Sequence, residues 1–436
     1  MFIASVVASP VSVICALGAV AVISLWAVRL PRVALALLAA SLVAGQVERL
    51  PLPGQGGGLL LSDVAVVLVL ASGFFYSRPW PRTAARLGWW LVPFIGWSAF
   101  SLAVNSASLT RPEILLSLAY WLRLSSYLLL LPVLLSFNSQ EKNRQYSQWL
   151  LLLVVGALAL AGLLQLWLMP HLVALNGGWD PHSWRLVATW LDPNFMGGFF
   201  AILLPWLGWQ AWCRRGQQRV AYLVVLVLTS LALALTQSRS SLVALLVGLT
   251  LLSPWWTLTR YRRMAVVPAM ALLGLVVSAG VITALLLGER AWGLVTYDPT
   301  VVLRVEALRE VWQLAAAHSW LGVGYNAYQF AAQEAGLVGD FMIHSRAGAD
   351  VSWLTLWVTT GIIGVVLFFL PWCWVGQQLL RRTVHYQDGA ALVGVCVLLI
   401  WFIHSNFVNS LLYGHLLITV AWVFSLLLPF SSPGHD

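Results

Sequence analysis

The sequence predicts an all-α fold: a polytopic membrane protein of about 12–14 transmembrane helices with one large outward loop that contains amphipathic helices. Three observations predict it. Hydrophobic residues make up 60% of the chain and charged residues 9%, whereas roughly a quarter of a soluble domain is charged. The apolar residues fall in runs of 16 to 24, long enough to cross about 30 Å as helices, while transmembrane strands would show alternating segments of about ten. The basic residues are dense in every second connection and sparse in the others, as the two faces of a bilayer require.

Taken in order, the apolar runs lie at about 9–28, 31–47, 59–76, 88–105, 113–136, 148–168, 195–213, 219–236, 240–258, 264–287, 352–374, 389–404 and 413–430. No positively charged segment or small-residue cleavage site precedes the first run, so Val11 to Val28 is expected as a retained span. Odd-numbered connections carry fifteen basic residues, among them Arg78, Arg82, Arg86, Arg214, Arg215 and Arg219; even-numbered ones carry eight. The odd connections are therefore expected in the cytoplasm and the even ones outside, together with twelve of the fifteen acidic residues. One missed span in the middle would destroy this alternation.

The net charge of +9 consists of 23 Arg and one Lys scattered in ones to threes, a topogenic pattern rather than a nucleic-acid surface. Cys15, Cys213, Cys373 and Cys396 lie in or beside apolar runs without paired spacing, so neither a metal site nor a disulfide framework is expected. Tryptophans near run ends, such as Trp89, Trp97 and Trp372, are expected to form an interfacial belt.

The polar text is concentrated in Gly288 to Val351. A membrane protein that sets aside one sizeable polar loop usually places chemistry or recognition there. Within it, Val301 to Ala317 reads as a helix with an apolar stripe at Val301, Val305, Leu308, Val311, Trp312 and Ala315; Arg304 borders the stripe, and Glu306, Arg309, Glu310 and Gln313 form the polar face. A turn at Leu321-Gly322-Val323-Gly324 and a short helix near Ala327 to Ala335 follow. Two further outward connections are shaped: Met169 to Gly197, with Asp180, Pro181, Arg185, Asp192 and Pro193, and the link Gln237-Ser238-Arg239-Ser240-Ser241.

Arginines converging at a membrane surface suit bidentate phosphate recognition, because the guanidinium fork matches two phosphate oxygens. Each candidate has a structural alternative. Arg185 or Arg304 could pair with Asp192 or Glu306, Arg239 could be a snorkelling residue at a helix end, and Asp350 could cap the span that follows it. His344 could be an ordinary loop residue, and His404 and His415 polar residues of helix packing.

The stretches Leu191-Asp192-Pro193-Asn194-Phe195-Met196-Gly197, Leu235-Thr236-Gln237-Ser238-Arg239-Ser240, Arg304 leading to Trp320-Leu321-Gly322-Val323-Gly324, and Leu354 to Gly364 resemble the O-antigen ligase and O-antigen polymerase superfamily of bacterial envelope glycosyltransferases. The resemblance covers about 180–368. It departs at one point: where the family carries a His-Asn or His-Ser pair, counting back from Gly361, this chain has Asp350, and its nearest His-Ser is His344-Ser345. The resemblance implies glycan transfer from a polyprenyl-pyrophosphate carrier to a hydroxyl of a lipid, glycan or protein acceptor at the outer leaflet of the bacterial inner membrane, without a cofactor. On this reading Arg185, Asp192, Asn194, Arg239, Arg304 and Arg346 bind the pyrophosphate or glycan, and His344 or Asp350 is the base of an inverting displacement. Segment 1–168 is then an N-terminal helical region, 169–374 the ligase-like region and 375–436 the C-terminal helices. A transporter or flippase of lipid-linked saccharide is the competing reading, although the chain lacks the repeated halves with mid-span polar breaks that transporters show.

Overall fold

A computed structural model describes residues 28–47, 50–51, 58–76, 80–172, 182–258, 299–337 and 350–428. The runs at 9–28 and 264–287 lie essentially outside these residues. The other eleven runs are helical: α1 (Pro31–Ala44), α2 (Leu61–Tyr76), α3 (Arg82–Asn105), α4 (Arg111–Phe137), α5 (Glu141–Leu168), α6 (Pro193–Cys213), α7 (Gly216–Thr236), α8 (Arg239–Leu258), α11 (Ser352–Tyr386), α12 (Gly389–His404) and α13 (Gly414–Leu427). The polar loop contributes α9 (Pro299–Ala317) and α10 (Tyr328–Glu334). A two-stranded antiparallel ribbon, β1 (Leu50–Pro51) and β2 (Gly58–Leu59), joins α1 to α2 and has no counterpart in the hydropathy reading. The protein is an all-α polytopic membrane protein; α3, α4, α5, α7 and α11 are each long and apolar enough to span a bilayer.

Helix starts follow local chemistry. Thr110 and Glu113 form a capping box at α4, with Thr110 N–H donating to the Glu113 carboxylate at 2.7 Å. Asp388 caps α12 and holds Arg382 in an ion pair at 2.7 Å.

The hydrogen bonds between connections sort by the predicted faces. Arg32 donates to Asn143, Arg144 to the Leu426 carbonyl and Arg214 to Gln148, all among connections expected inside. At the other end Thr189 donates to the Val43 carbonyl, Asn105 to Gly322 and Ser352 N–H to Ser405.

Helix α6 runs through the centre, with Met196, Phe199, Phe200, Ile202 and Trp206 fully buried, and α5, α7, α8, α12 and α13 pack around it. Of the tryptophans expected in an interfacial belt, Trp89 is 75% exposed, whereas two others turn inward. Trp97 donates its indole N–H to the Thr360 carbonyl, and Trp372 is buried against Trp401. For Trp97 the carbonyl replaces the interface as the partner of the indole N–H; the buried Trp372 indole N–H has no partner among the described residues, and its ring packing takes the place of the interface.

Candidate functional site

The first turn of α6 organises the end of the helices expected to face outward. Asp192 is its N-cap, one carboxylate oxygen accepting from Asn194 N–H at 2.7 Å and Phe195 N–H at 3.1 Å, and Pro193 follows in the first turn with its φ already helical. The cap directs the Asn194 side chain toward Arg185 in the preceding connection. Arg185 donates Nε to the Thr236 carbonyl at 3.0 Å and Nη2 to Asn194 Oδ1 at 3.3 Å and the Gln237 carbonyl at 3.5 Å. A guanidinium can only donate, so the amide atom that faces it must be the oxygen. Among the described residues Asn194 Nδ2 then makes no hydrogen bond, which leaves two N–H donors beside the arginine.

The backbone around this pair is strained. Trp184, Ala188, Leu191 and Gln237 all have positive φ, between 50° and 58°, without being glycine. Such residues persist only where surrounding bonds over-determine them, and they concentrate at functional sites. Here Leu186 N–H bonds to the Leu235 carbonyl, and Gln237 donates its side-chain amide to the Trp184 carbonyl, fastening the connection to the end of α7.

Gln237 ends α7 and Arg239 opens α8, exposed one residue after Ser238. Ser238 donates to Asn194 Oδ1 at 3.2 Å, so the Gln237–Ser240 link and the α6 motif, separate in sequence, share one hydrogen-bonded unit. The structure thus brings together Arg185, Asp192, Asn194 and the N-terminus of α8 with Arg239.

The other two motifs meet each other. The turn after α9 folds over α11: Val323 N–H bonds to the Val358 carbonyl and Ile362 N–H to the Ser319 carbonyl, both at 2.9 Å. At Gly361 α11 is kinked, with φ 69° and ψ 176°. Trp97, Ser101 and Asn105, spaced four apart on one face of α3, meet carbonyls of the kink and of the turn that covers it: Trp97 donates to Thr360, Ser101 to Thr359 and Leu321, and Asn105 to Gly322. The spacing of these three polar residues along an apolar run was the available sequence signal for a polar helix partner.

In α9, Ala307, Val311, Leu314 and Ala315 face inward. The expected stripe is corrected at one place: Trp312 is 52% exposed, edge-on to Trp357, and Leu314 takes the inward position. Between α9 and the first turn of α11 lies an open groove of about 470 Å³, with Arg309, Trp312, Gln313 and Trp353 in its walls.

Asp350 is exposed immediately before α11. The N-cap position is Val351, without a side-chain cap, so Asp350 does not occupy it. Ser352, two residues on, bonds through its N–H to the Ser405 carbonyl and accepts the Leu411 N–H on its hydroxyl, which anchors this end of α11 to the α12–α13 connection. Arg304 falls in α9, in a turn whose side chains are outside those described, and His344 and Arg346 lie outside the described residues.

One charged pair absent from the candidates also lies near this end. Arg123, inside α4, donates Nε and Nη2 to the two oxygens of Asp63 at 2.7 and 2.6 Å and also reaches the Gly58 carbonyl. Asp63 accepts a further bond from Tyr127 at 2.6 Å. An arginine in an apolar run was the signal that a carboxylate had to be found for it.

Comparison with protein families matches residues 223–369 to a family described as O-antigen ligase. No curated protein matches the chain. The matched segment contains the α8 link, the turn after α9 and the kinked α11, whereas Arg185, Asp192 and Asn194 lie before it.

Proposed function

We propose that this chain, a member of the O-antigen ligase and polymerase superfamily through its residues 223–369, transfers a glycan from a polyprenyl-pyrophosphate carrier to an acceptor hydroxyl at the outer leaflet of the bacterial inner membrane. The family supports a membrane glycosyltransferase-type activity; donor, acceptor and residue roles are our reading.

The observation that carries the proposal is the convergence of Arg185, the Asn194 amide and the Arg239 end of α8 in one outward unit. Two guanidinium groups, two free amide N–H donors and the positive end of a helix dipole suit an anion that gains charge as the reaction proceeds. In the transfer, the acceptor oxygen bonds to the anomeric carbon as the bond from that carbon to the pyrophosphate oxygen breaks. The electron pair leaves with the pyrophosphate, toward Arg185, Asn194 and Arg239, with Arg304 and Arg346 on the loop side. The acceptor proton passes to Asp350 or His344, and one displacement gives inversion. Asp192 acts by capping α6 and so aiming Asn194. The groove beside Asp350, with the exposed indole of Trp312, the half-buried indole of Trp353 and polar Arg309 and Gln313 in its walls, suits the acceptor sugar.

The test is transfer of a labelled polyprenyl-pyrophosphate glycan to lipid, glycan and protein acceptors in proteoliposomes, with translocation measured in parallel. Arg185→Ala and Arg239→Ala should each lower transfer by about 100-fold. Wild-type transfer by variants that insert normally would refute the arginine roles. Movement of the glycan across the bilayer without any transfer would make the protein a flippase instead.

A further inference from the structure

We propose that His404, the last residue of α12, is a positioning residue for the Arg185–Asn194 site and acts through Ser241 and Ser238; this rests on the function proposed above.

His404 is completely buried, and among the described residues its Nδ1 has no hydrogen-bond partner. As a packing residue it would be a poor choice, since a buried polar atom without a partner is costly and an apolar side chain of similar size has none. Its Nε2 lies 3.1 Å from Ser241 Oγ, and Ser241 Oγ lies 2.8 Å from Ser238 Oγ.

Proton counting gives these contacts a direction, because each hydroxyl has a single proton to donate. Ser238 gives its proton to Asn194 Oδ1, which also accepts from Arg185. Ser238 then accepts along its contacts with Ser241 at 2.8 Å and Ser240 at 3.1 Å. Ser241 has two acceptors within reach, Ser238 and, at 3.4 Å, the Asn194 carbonyl, and the shorter contact takes its proton. The contacts His404–Ser241, Ser241–Ser238 and Ser238–Asn194 need three protons and the two hydroxyls supply two, so the imidazole proton belongs on Nε2 and the orphan Nδ1 is a lone pair. The opposite tautomer would leave one of these three contacts without a proton. The chain runs from His404 through Ser241 and Ser238 to Asn194 Oδ1, and it holds the amide with its oxygen toward Arg185 and its two N–H groups outward.

Two consecutive glycines of α6 make room for this chain. A Cβ at Gly197 would stand 2.6 Å from Ser241 Oγ and 2.9 Å from Ser238 Cβ, and one at Gly198 would stand 2.7 Å from His404 Cε1. The stretch from Asp192 to Gly198 thus encodes a cap, a ligand for Arg185 and the space for the relay behind it.

The experiment measures binding of inorganic pyrophosphate to the purified full-length chain in detergent by titration calorimetry, with thermal unfolding as a check of folding. His404→Leu should weaken binding about fivefold to tenfold, the loss of one hydrogen bond's worth of order. His404→Gln, whose amide nitrogen reaches the Nε2 position, should return it to within about twofold, whereas His404→Asn, which reaches only the Nδ1 position, should not. A residue that merely fills space would not distinguish Gln from Asn in this order. Should His404→Leu fail to fold, Ser241→Ala breaks the same chain without emptying a ring cavity, and the same weakening is expected. If Arg185→Ala weakens binding while folded His404→Leu or Ser241→Ala binds like wild type, the relay is wrong and the anion site stands. If wild type does not bind pyrophosphate, or Arg185→Ala has no effect, the anion site is wrong and the relay falls with it.

Discussion

The carbonyl of Trp320 lies against the Cα of Gly361, at a place where no side chain could stand. This contact joins the turn after α9 to the kink of α11 and so sets where Asp350, eleven residues earlier on the same chain, leaves the membrane domain. Gly361→Ala meets both the backbone of Trp320 and a left-handed φ of 69°. It should lower stability by about 3 kcal/mol or more, visible as a large drop in the melting temperature of the purified protein. A change of a degree or less would show that the kink straightens freely.

Ser101 on α3 bonds both the Thr359 carbonyl beside the kink and the Leu321 carbonyl of the turn that covers it, and Asn105 bonds the Gly322 carbonyl of that turn. Ser101→Ala and Asn105→Ala should each destabilise by about 1 kcal/mol, the net value of a hydrogen bond. Hydrogen exchange of the amides in 319–323 should rise in both variants. Exchange unchanged from wild type would mean that α3 is not their clamp.

Asn194→Asp separates the two faces of the amide. A carboxylate still accepts from Arg185 and Ser238, so the fold should persist, but it lacks the two outward N–H donors and adds negative charge where the proposed leaving group is negative. Transfer should fall by about 100-fold with melting temperature nearly unchanged. Retained transfer would remove Asn194 from donor binding.

Arg123 and Asp63 form a half-buried bidentate pair between α4 and α2. Arg123→Leu alone leaves the carboxylate with only the Tyr127 hydroxyl and the Leu60 N–H as partners and should cost about 1–3 kcal/mol. The double replacement Asp63→Leu with Arg123→Leu should cost clearly less than the single one, since it strands no charge. A thermodynamic cycle from the three variants reads the coupling; additive losses would show that the pair is not coupled.

Burial, and after it the neighbouring Glu310, pushes the Tyr328 phenol of α10 up to about 12. Below pH about 10 it is neutral in both folded and unfolded chains, and its contribution to stability is fully present. Between about 10 and about 12 the unfolded chain ionises first, and that contribution is lost. Protease susceptibility of the α9–α10 region should therefore climb across this interval, and Tyr328→Phe should flatten the climb. An identical profile in the variant would leave Tyr328 without a part in it.

The eleven described helical runs, the helix that opens the polar loop and the resemblance of four short stretches to one family were legible in the sequence, because hydropathy and helical periodicity are local properties. The short connecting ribbon was not, since a pair of two-residue strands leaves no periodic signal. Nor was the difference between Trp167, 78% exposed, and Trp206, fully buried, because the lipid-facing and protein-facing sides of a membrane helix are both apolar.

What the sequence by itself determined is thus a stack of helices with basic residues dense in alternate connections and a few polar residues inside apolar runs. What the tertiary structure decided is which of those residues meet. Ser101 and Leu321 are 220 residues apart, Ser241 and His404 163, and Arg123 and Asp63 60. Such pairings depend on the packing of whole helices around α6. A polar side chain in an apolar run announces only that a partner must exist, and only the fold names it.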